Sequence, residues 1–204
     1  VIAPGYNEHA HAWQRAGHNV TPVSTDALDS AAAGMDVLVV IHPNNPSGAR
    51  FSTDTMLRWH AQLSARGGWL VVDEAFIDAT PGHSLTPHCP RPGLIVLRSL
   101  GKFFGLAGAR VGFVCAESGL LAALHALLGP WTVVAPSRHI AMLALADRGW
   151  QETTRHQLIH HGEQLAALLA QYGLTPSGGC ALFQWVRTPQ AATIHEDLAR
   201  HGIL

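Results

Sequence analysis

The chain has 204 residues, 48% of them hydrophobic, which is enough to bury one large core and too much for a disordered or fibrous protein. A formal net charge of −1 lacks the one-sided field of a nucleic-acid or anionic-membrane binder and points instead to a small-molecule substrate. Cys89, Cys115 and Cys180 are odd in number and widely spaced, so they fit reduced thiols and a cytoplasmic location better than a disulfide framework.

Taken in chain order, short apolar runs alternate with helical patterns. Val1-Ile2-Ala3 reads as a strand end, and residues 8–16 as a helix stopped by Gly17. Val37-Leu38-Val39-Val40-Ile41, Trp69-Leu70-Val71-Val72, Leu94-Ile95-Val96-Leu97 and Val111-Gly112-Phe113-Val114 are strands of the kind buried in a sheet covered on both faces. A helix over residues 53–65, capped by Ser52 or Thr53 and stopped at Gly67-Gly68, makes a βαβ unit of the first two strands, so the sheet is expected to be largely parallel.

Beyond Val114 the pattern turns helical, over residues 119–128, 137–147 and 150–172, with a strand over 181–186 and a last helix over 191–200. The apolar stretch 120–135 contains His125 and is broken by Gly129-Pro130, so it reads as a buried helix entering a loop and not as a membrane span. The expected division is a large α/β domain over 1–149 and the start of a smaller α+β domain over 150–204. The sequence opens without Met in what reads as a strand, so it is expected to be an internal fragment.

Twelve arginines accompany a single lysine, Lys102. Arginine replaces lysine at most surface positions but cannot become a neutral amine near pH 7, so the surviving lysine is a candidate for amine chemistry. Three segments fall just past strands, where open α/β sheets bind ligands. His42-Pro43-Asn44-Asn45-Pro46-Ser47-Gly48 fixes an Asn in a Pro-framed turn, although such a turn is ordinary by itself. Asp73-Glu74 follows an apolar strand, and alone could be a helix cap or a metal ligand. The third segment, Ser99-Leu100-Gly101-Lys102-Phe103-Phe104-Gly105-Leu106-Ala107-Gly108-Ala109-Arg110, combines hydroxyl, amine and guanidinium on a glycine-rich loop. It suits a phosphate held by Ser99 and Arg110 beside the Lys102 amine, and it is not a Walker loop.

In order and spacing, these three segments resemble the class I/II aminotransferase family of pyridoxal-5'-phosphate (PLP) enzymes. The resemblance covers essentially the whole chain and implies the fold type I architecture, a mostly parallel sheet flanked by helices. It implies that Lys102 is the Schiff-base lysine and Asp73 the carboxylate that keeps the pyridine nitrogen protonated. It also implies that Asn45 bonds the ring oxygen, that Ser99 and Arg110 bind the phosphate, and that Tyr6 stacks on the cofactor face. Phe76 stands where typical transaminases carry a Tyr, so one hydrogen-bond donor to the ring oxygen is absent.

Within the superfamily, the segments at residues 7–13, 73–78 and 129–133 look most like the threonine-phosphate decarboxylases of cobalamin biosynthesis. Histidinol-phosphate aminotransferases are the rival, and the PLP-sensing domain of a transcription regulator is a further alternative, against which the neutral charge and the lack of a basic helix-turn-helix pattern argue. The resemblance further implies a homodimer and a phosphorylated amino-acid substrate. The family's glycine-rich phosphate loop and its substrate-binding Arg are expected outside these residues, so the isolated chain is expected to be inactive. His9, His11, His88 and Cys89 lack paired metal-site spacing, so no metal is expected, while Glu74 and Asp78 are expected to be solvated or capping carboxylates.

Overall fold

Runs of β-branched residues too short for helices become the strands of the main sheet in the computed structural model, which describes residues 1–203. β1 (Val37–Ile41), β2 (Trp69–Asp73) and β3 (Leu94–Ser99) run parallel, with Val39, Val71 and Ile95 in register across them. β4 (Gly112–Cys115) completes the order β1-β2-β3-β4 but lies antiparallel to β3. The largely parallel expectation therefore holds, with the fourth strand antiparallel. Residues 100–111 bring the chain back without a crossover helix, and a parallel connection needs one.

Side chains alternate across the sheet, which is why it takes helices on both faces. Leu38, Val40, Leu70, Val72, Leu94 and Val96 pack on one side with residues of α2 (Leu28–Gly34) and α3 (Thr53–Ser64). Val39, Val71 and Ile95 pack on the other with Trp13 of α1 (Asn7–Arg15) and with Leu120 and Leu121 of α4 (Ser118–Leu128). The N-cap of α3 is Ser52, whose Oγ accepts from the Thr55 N–H at 3.1 Å. Ile2 donates its N–H to the Val39 carbonyl of β1 at 3.0 Å and forms a single parallel bridge with Val23, so the first residues lie beside β1 without making a full strand.

After β4 come α4, α5 (Ala135–Ala146) and α6 (Arg148–Gln171). The strand expected over 181–186 is instead a hairpin of β5 (Gly178–Cys180) and β6 (Phe183–Trp185), followed by α7 (Ala191–Arg200). β5 begins with two glycines because the hairpin meets the turn after β1 backbone to backbone: a Cβ on Gly178 would sit 2.1 Å from the Ser47 carbonyl oxygen. Among the described residues, no helix is long and apolar enough to cross a membrane.

Candidate active site

Parallel pairing puts the carboxyl ends of β1, β2 and β3 at one edge of the sheet, and the polar residues of all three motifs follow from there. Ile41, the last residue of β1, is in register with Asp73, the last of β2, and Asp73 with Leu97 of β3, two residues before Ser99. The His42 N–H donates to the Asp73 carbonyl at 2.8 Å, so the turn carrying Asn45 leaves the sheet directly beside Asp73. That turn is pinned from inside. Asn44, only 1% exposed, donates its Nδ2 to the Pro4 carbonyl at 2.9 Å and to Ser47 Oγ at 2.7 Å. Buried His42 accepts the Phe51 N–H on Nδ1 at 3.3 Å, and burial lowers its pKa to about 4, which keeps the ring neutral. Asn45 remains half-buried at the site edge, so of the two adjacent asparagines the first is structural and the second faces outward.

Asp73 is held in a fixed orientation. Oδ1 accepts the Ala75 N–H at 2.9 Å and Oδ2 lies 2.7 Å from His9 Nε2. An ionised carboxylate offers about four lone-pair positions, so both oxygens keep capacity for a further donor. His9 was not recognised as part of the site from sequence. It sits in the first turn of α1, three residues after Tyr6, and that spacing puts the two side chains on one face: their rings meet edge to face at 5.9 Å. Tyr6 itself is 51% exposed, free to cover a ligand.

Lys102 and Phe76 come together, with Nζ 5.5 Å from the ring centroid, and Phe183 of β6 packs against Phe76 at 5.1 Å, edge to face. Ser99 Oγ accepts the Gly101 N–H at 3.0 Å and keeps its own proton to donate. Ser99 pairs across the sheet with Gly112, two residues beyond Arg110, so hydroxyl and guanidinium flank the same loop. Arg110 is exposed and takes the left-handed conformation at φ 53°, a position that favours glycine, while one guanidinium N–H donates to Ala107 O at 3.1 Å.

Glu74 and Asp78 are not the solvated or capping carboxylates the sequence suggested. Glu74 is fully buried and accepts from Ser84 Oγ at 2.5 Å and the Leu85 N–H at 2.6 Å. Burial pushes its pKa up, against those donors and the Arg98 guanidinium 3.7 Å away. Arg98 also pairs with buried Asp78 and donates to Thr86 Oγ1 at 3.2 Å. These charges brace the site from behind.

The edge thus gathers an amine, an oriented carboxylate, a hydroxyl with a free proton and a guanidinium, a donor set for a ligand with a carbonyl, a basic ring nitrogen and an anionic tail. Residues 1–203 match the family model "Aminotransferase class I and II". The chain belongs to that family. Among its class I and II aminotransferase relatives, a threonine-phosphate decarboxylase of Pseudomonas aeruginosa is 52% identical over all of this chain and 62% of its own length. A histidinol-phosphate aminotransferase of Shewanella oneidensis is 32% identical over 97% of this chain and 54% of its own. Among solved structures, the histidinol-phosphate aminotransferase of Sinorhizobium meliloti in complex with pyridoxal-5'-phosphate superposes with a TM-score of 0.87. It does so at 20% identity, covering 100% of this chain and 60% of that one, and so shares the class I and II aminotransferase fold. The chain spans 62% or less of the length of these three proteins.

Proposed function

We propose that the complete protein is a PLP-dependent decarboxylase that converts L-threonine O-3-phosphate to (R)-1-aminopropan-2-yl phosphate, in the biosynthesis of cobalamin. The observation that carries this reading is the 52% identity along the whole chain to the Pseudomonas decarboxylase, against 32% to the Shewanella aminotransferase.

The donor set fits the cofactor. Lys102 supplies the amine for its aldehyde, and Asp73, aimed by His9 and the Ala75 N–H, retains a lone pair for the pyridine N–H. Asn45 would bond the ring oxygen, Ser99 and Arg110 the phosphate, and Tyr6 the ring face. When bound, the protonated ring supplies an electron sink at the substrate's Cα. Phe76 presents an apolar face to Lys102 Nζ where a hydroxyl would compete for the same ring oxygen, so Asn45 is left as its side-chain donor from this edge. His9 acts through Asp73, fixing the carboxylate's direction through its Nε2 contact at 2.7 Å. Residues 1–149 would form the large, cofactor-binding domain and 150–204 the beginning of the smaller one, and the working enzyme would be a cytoplasmic homodimer taking a phosphorylated amino acid.

The test is product analysis of the complete gene product. With threonine phosphate and no keto acid, the decarboxylase releases CO2 over many turnovers and keeps its absorbance spectrum. A histidinol-phosphate aminotransferase, given histidinol phosphate alone, stops after one half-reaction with the cofactor in its amine form. Stoichiometric keto product without CO2 replaces the decarboxylase by the aminotransferase.

A further inference from the structure

Each of three proposed cofactor contacts has a sequence neighbour in one continuous internal network. Glu74 follows Asp73, Arg98 precedes Ser99, and Phe103 follows Lys102. Arg98 links Glu74, at 3.7 Å, to Asp78, with which it forms a close ion pair. The Asp78 carbonyl in turn accepts the Arg155 Nε–H at 2.8 Å. Arg155 lies on α6, which the sequence reading assigned to the other domain, and its guanidinium carbon sits 5.5 Å from the centroid of the Phe103 ring. A further N–H donates to Gln151 Oε1 at 3.3 Å, and Gln151 is anchored through its Nε2 to the Ala144 and Leu145 carbonyls at 3.0 and 3.1 Å.

We propose that Arg155 is a positioning residue that sets the Lys102 loop in register with Asp73 and Ser99. The inference rests on the cofactor reading above. Lys102 is exposed and its side chain is long, so apart from the Phe76 ring it is the loop that holds the amine in place. That loop is fastened by Phe103 and Phe104, 4% and 8% exposed, which pack on Trp150 at 5.5 and 5.8 Å. Those contacts seat the two rings in an apolar cluster, edge to face between Phe103 and Trp150, but they carry no hydrogen bond to the segment after β2. Arg155 supplies that link. Its planar fork donates in fixed directions to Asp78 and Gln151 while its face lies over Phe103, so one side chain ties the short helical turn after β2 (Ile77–Ala79), the lysine loop and α6 together. A lysine has the charge and the reach, but no flat face to present while it donates.

The experiment uses the complete gene product carrying Arg155→Met or Arg155→Lys, with PLP added. It reads kcat and KM with threonine phosphate, the visible circular dichroism of the bound cofactor, and the peptide labelled after borohydride reduction. With the cofactor trapped on Lys102 in every protein, Arg155→Met is expected to lower kcat by roughly 10- to 100-fold, the scale of an ångström-sized misplacement. KM should stay within about threefold and the dichroic band should weaken, while Arg155→Lys recovers only part of the loss. Unchanged kcat and dichroism in Arg155→Met, even with a lower melting temperature, overturn the proposal. If Arg155→Met does not fold, Arg155→Lys decides by the same readings, with parity to the wild type overturning it. Wild-type protein that fails to trap the cofactor on Lys102 overturns the site assignment itself, a separate outcome.

Discussion

Replacing Gly178 by alanine puts a methyl group 2.1 Å from the carbonyl oxygen of Ser47, where ordinary contact begins at about 3.4 Å. The β5–β6 hairpin and the turn after β1 must then part by about 1.3 Å, since the Cβ is fixed by its own backbone, the oxygen is a backbone atom, and neither can rotate away. Overpacking of this kind costs about 1–3 kcal/mol. At about 2–4 °C per kcal/mol for a chain of this size, the melting temperature should fall by roughly 2–12 °C. The functional consequence is sharper, because the turn carries Asn45 and the hairpin carries Phe183, which packs on Phe76 at 5.1 Å. A displacement near 1 Å at these residues should lower turnover by up to about 100-fold. Gly82→Ala is the control: a Cβ there meets nothing within 4 Å, and the change should stay within about 0.5 kcal/mol. Melting and steady-state turnover of both variants in the complete protein check the argument, and a Gly178→Ala protein indistinguishable from Gly82→Ala refutes it.

Asp73→Asn, which removes the charge proposed to hold the ring proton, should cost orders of magnitude in turnover while cofactor stays bound. His9→Ala leaves the carboxylate in place but unaimed, so its turnover should fall between those of wild type and Asp73→Asn; equality with wild type removes His9 from the site. His42 gives a pH prediction. Its folded pKa, about 4, lies below the ordinary 6.5, so its contribution to stability is present above pH 6.5 and is lost as pH falls from there to about 4. The shift corresponds to about 3 kcal/mol. Urea unfolding across that range should show stability falling more steeply toward low pH in the wild type than in His42→Gln, and the difference between the two slopes is the His42 contribution.

Much of the fold was legible because its signals are local. The runs beginning at Val37, Trp69 and Leu94 are apolar on both faces, as a doubly covered sheet demands, and Ser52 marks the start of α3 by its capping oxygen. The direction of β4 was not, because nothing in Gly112-Phe113-Val114-Cys115 distinguishes parallel from antiparallel pairing; the length and helix content of the connection decide it. α2 escaped because its seven residues, Leu28–Gly34, are too few for a periodic signal. β5 escaped because Gly178-Gly179-Cys180 is chosen for close backbone approach and not for strand propensity.

The site divides in the same way. Motif residues at strand ends could be placed from the order of the segments, and the structure brings Lys102 to Phe76 and Asp73 to the turn before Asn45. The residues that orient them were not visible. His9 read as one histidine among fourteen, and Glu74 and Asp78 read as solvated or capping carboxylates, because their partners, Arg98 and the Ser84 hydroxyl, are 10 to 24 residues away. Long-range charge pairing leaves no periodicity to read.

The central claim is that Lys102, the single lysine among these 204 residues, carries the cofactor. Borohydride reduction of the complete protein loaded with PLP, followed by peptide mapping, tests it directly. The account predicts a visible absorbance band that reduction abolishes, with the pyridoxyl group fixed to Lys102 and no such adduct in Lys102→Ala. A borohydride-fixed adduct on another residue, persisting in Lys102→Ala, contradicts it.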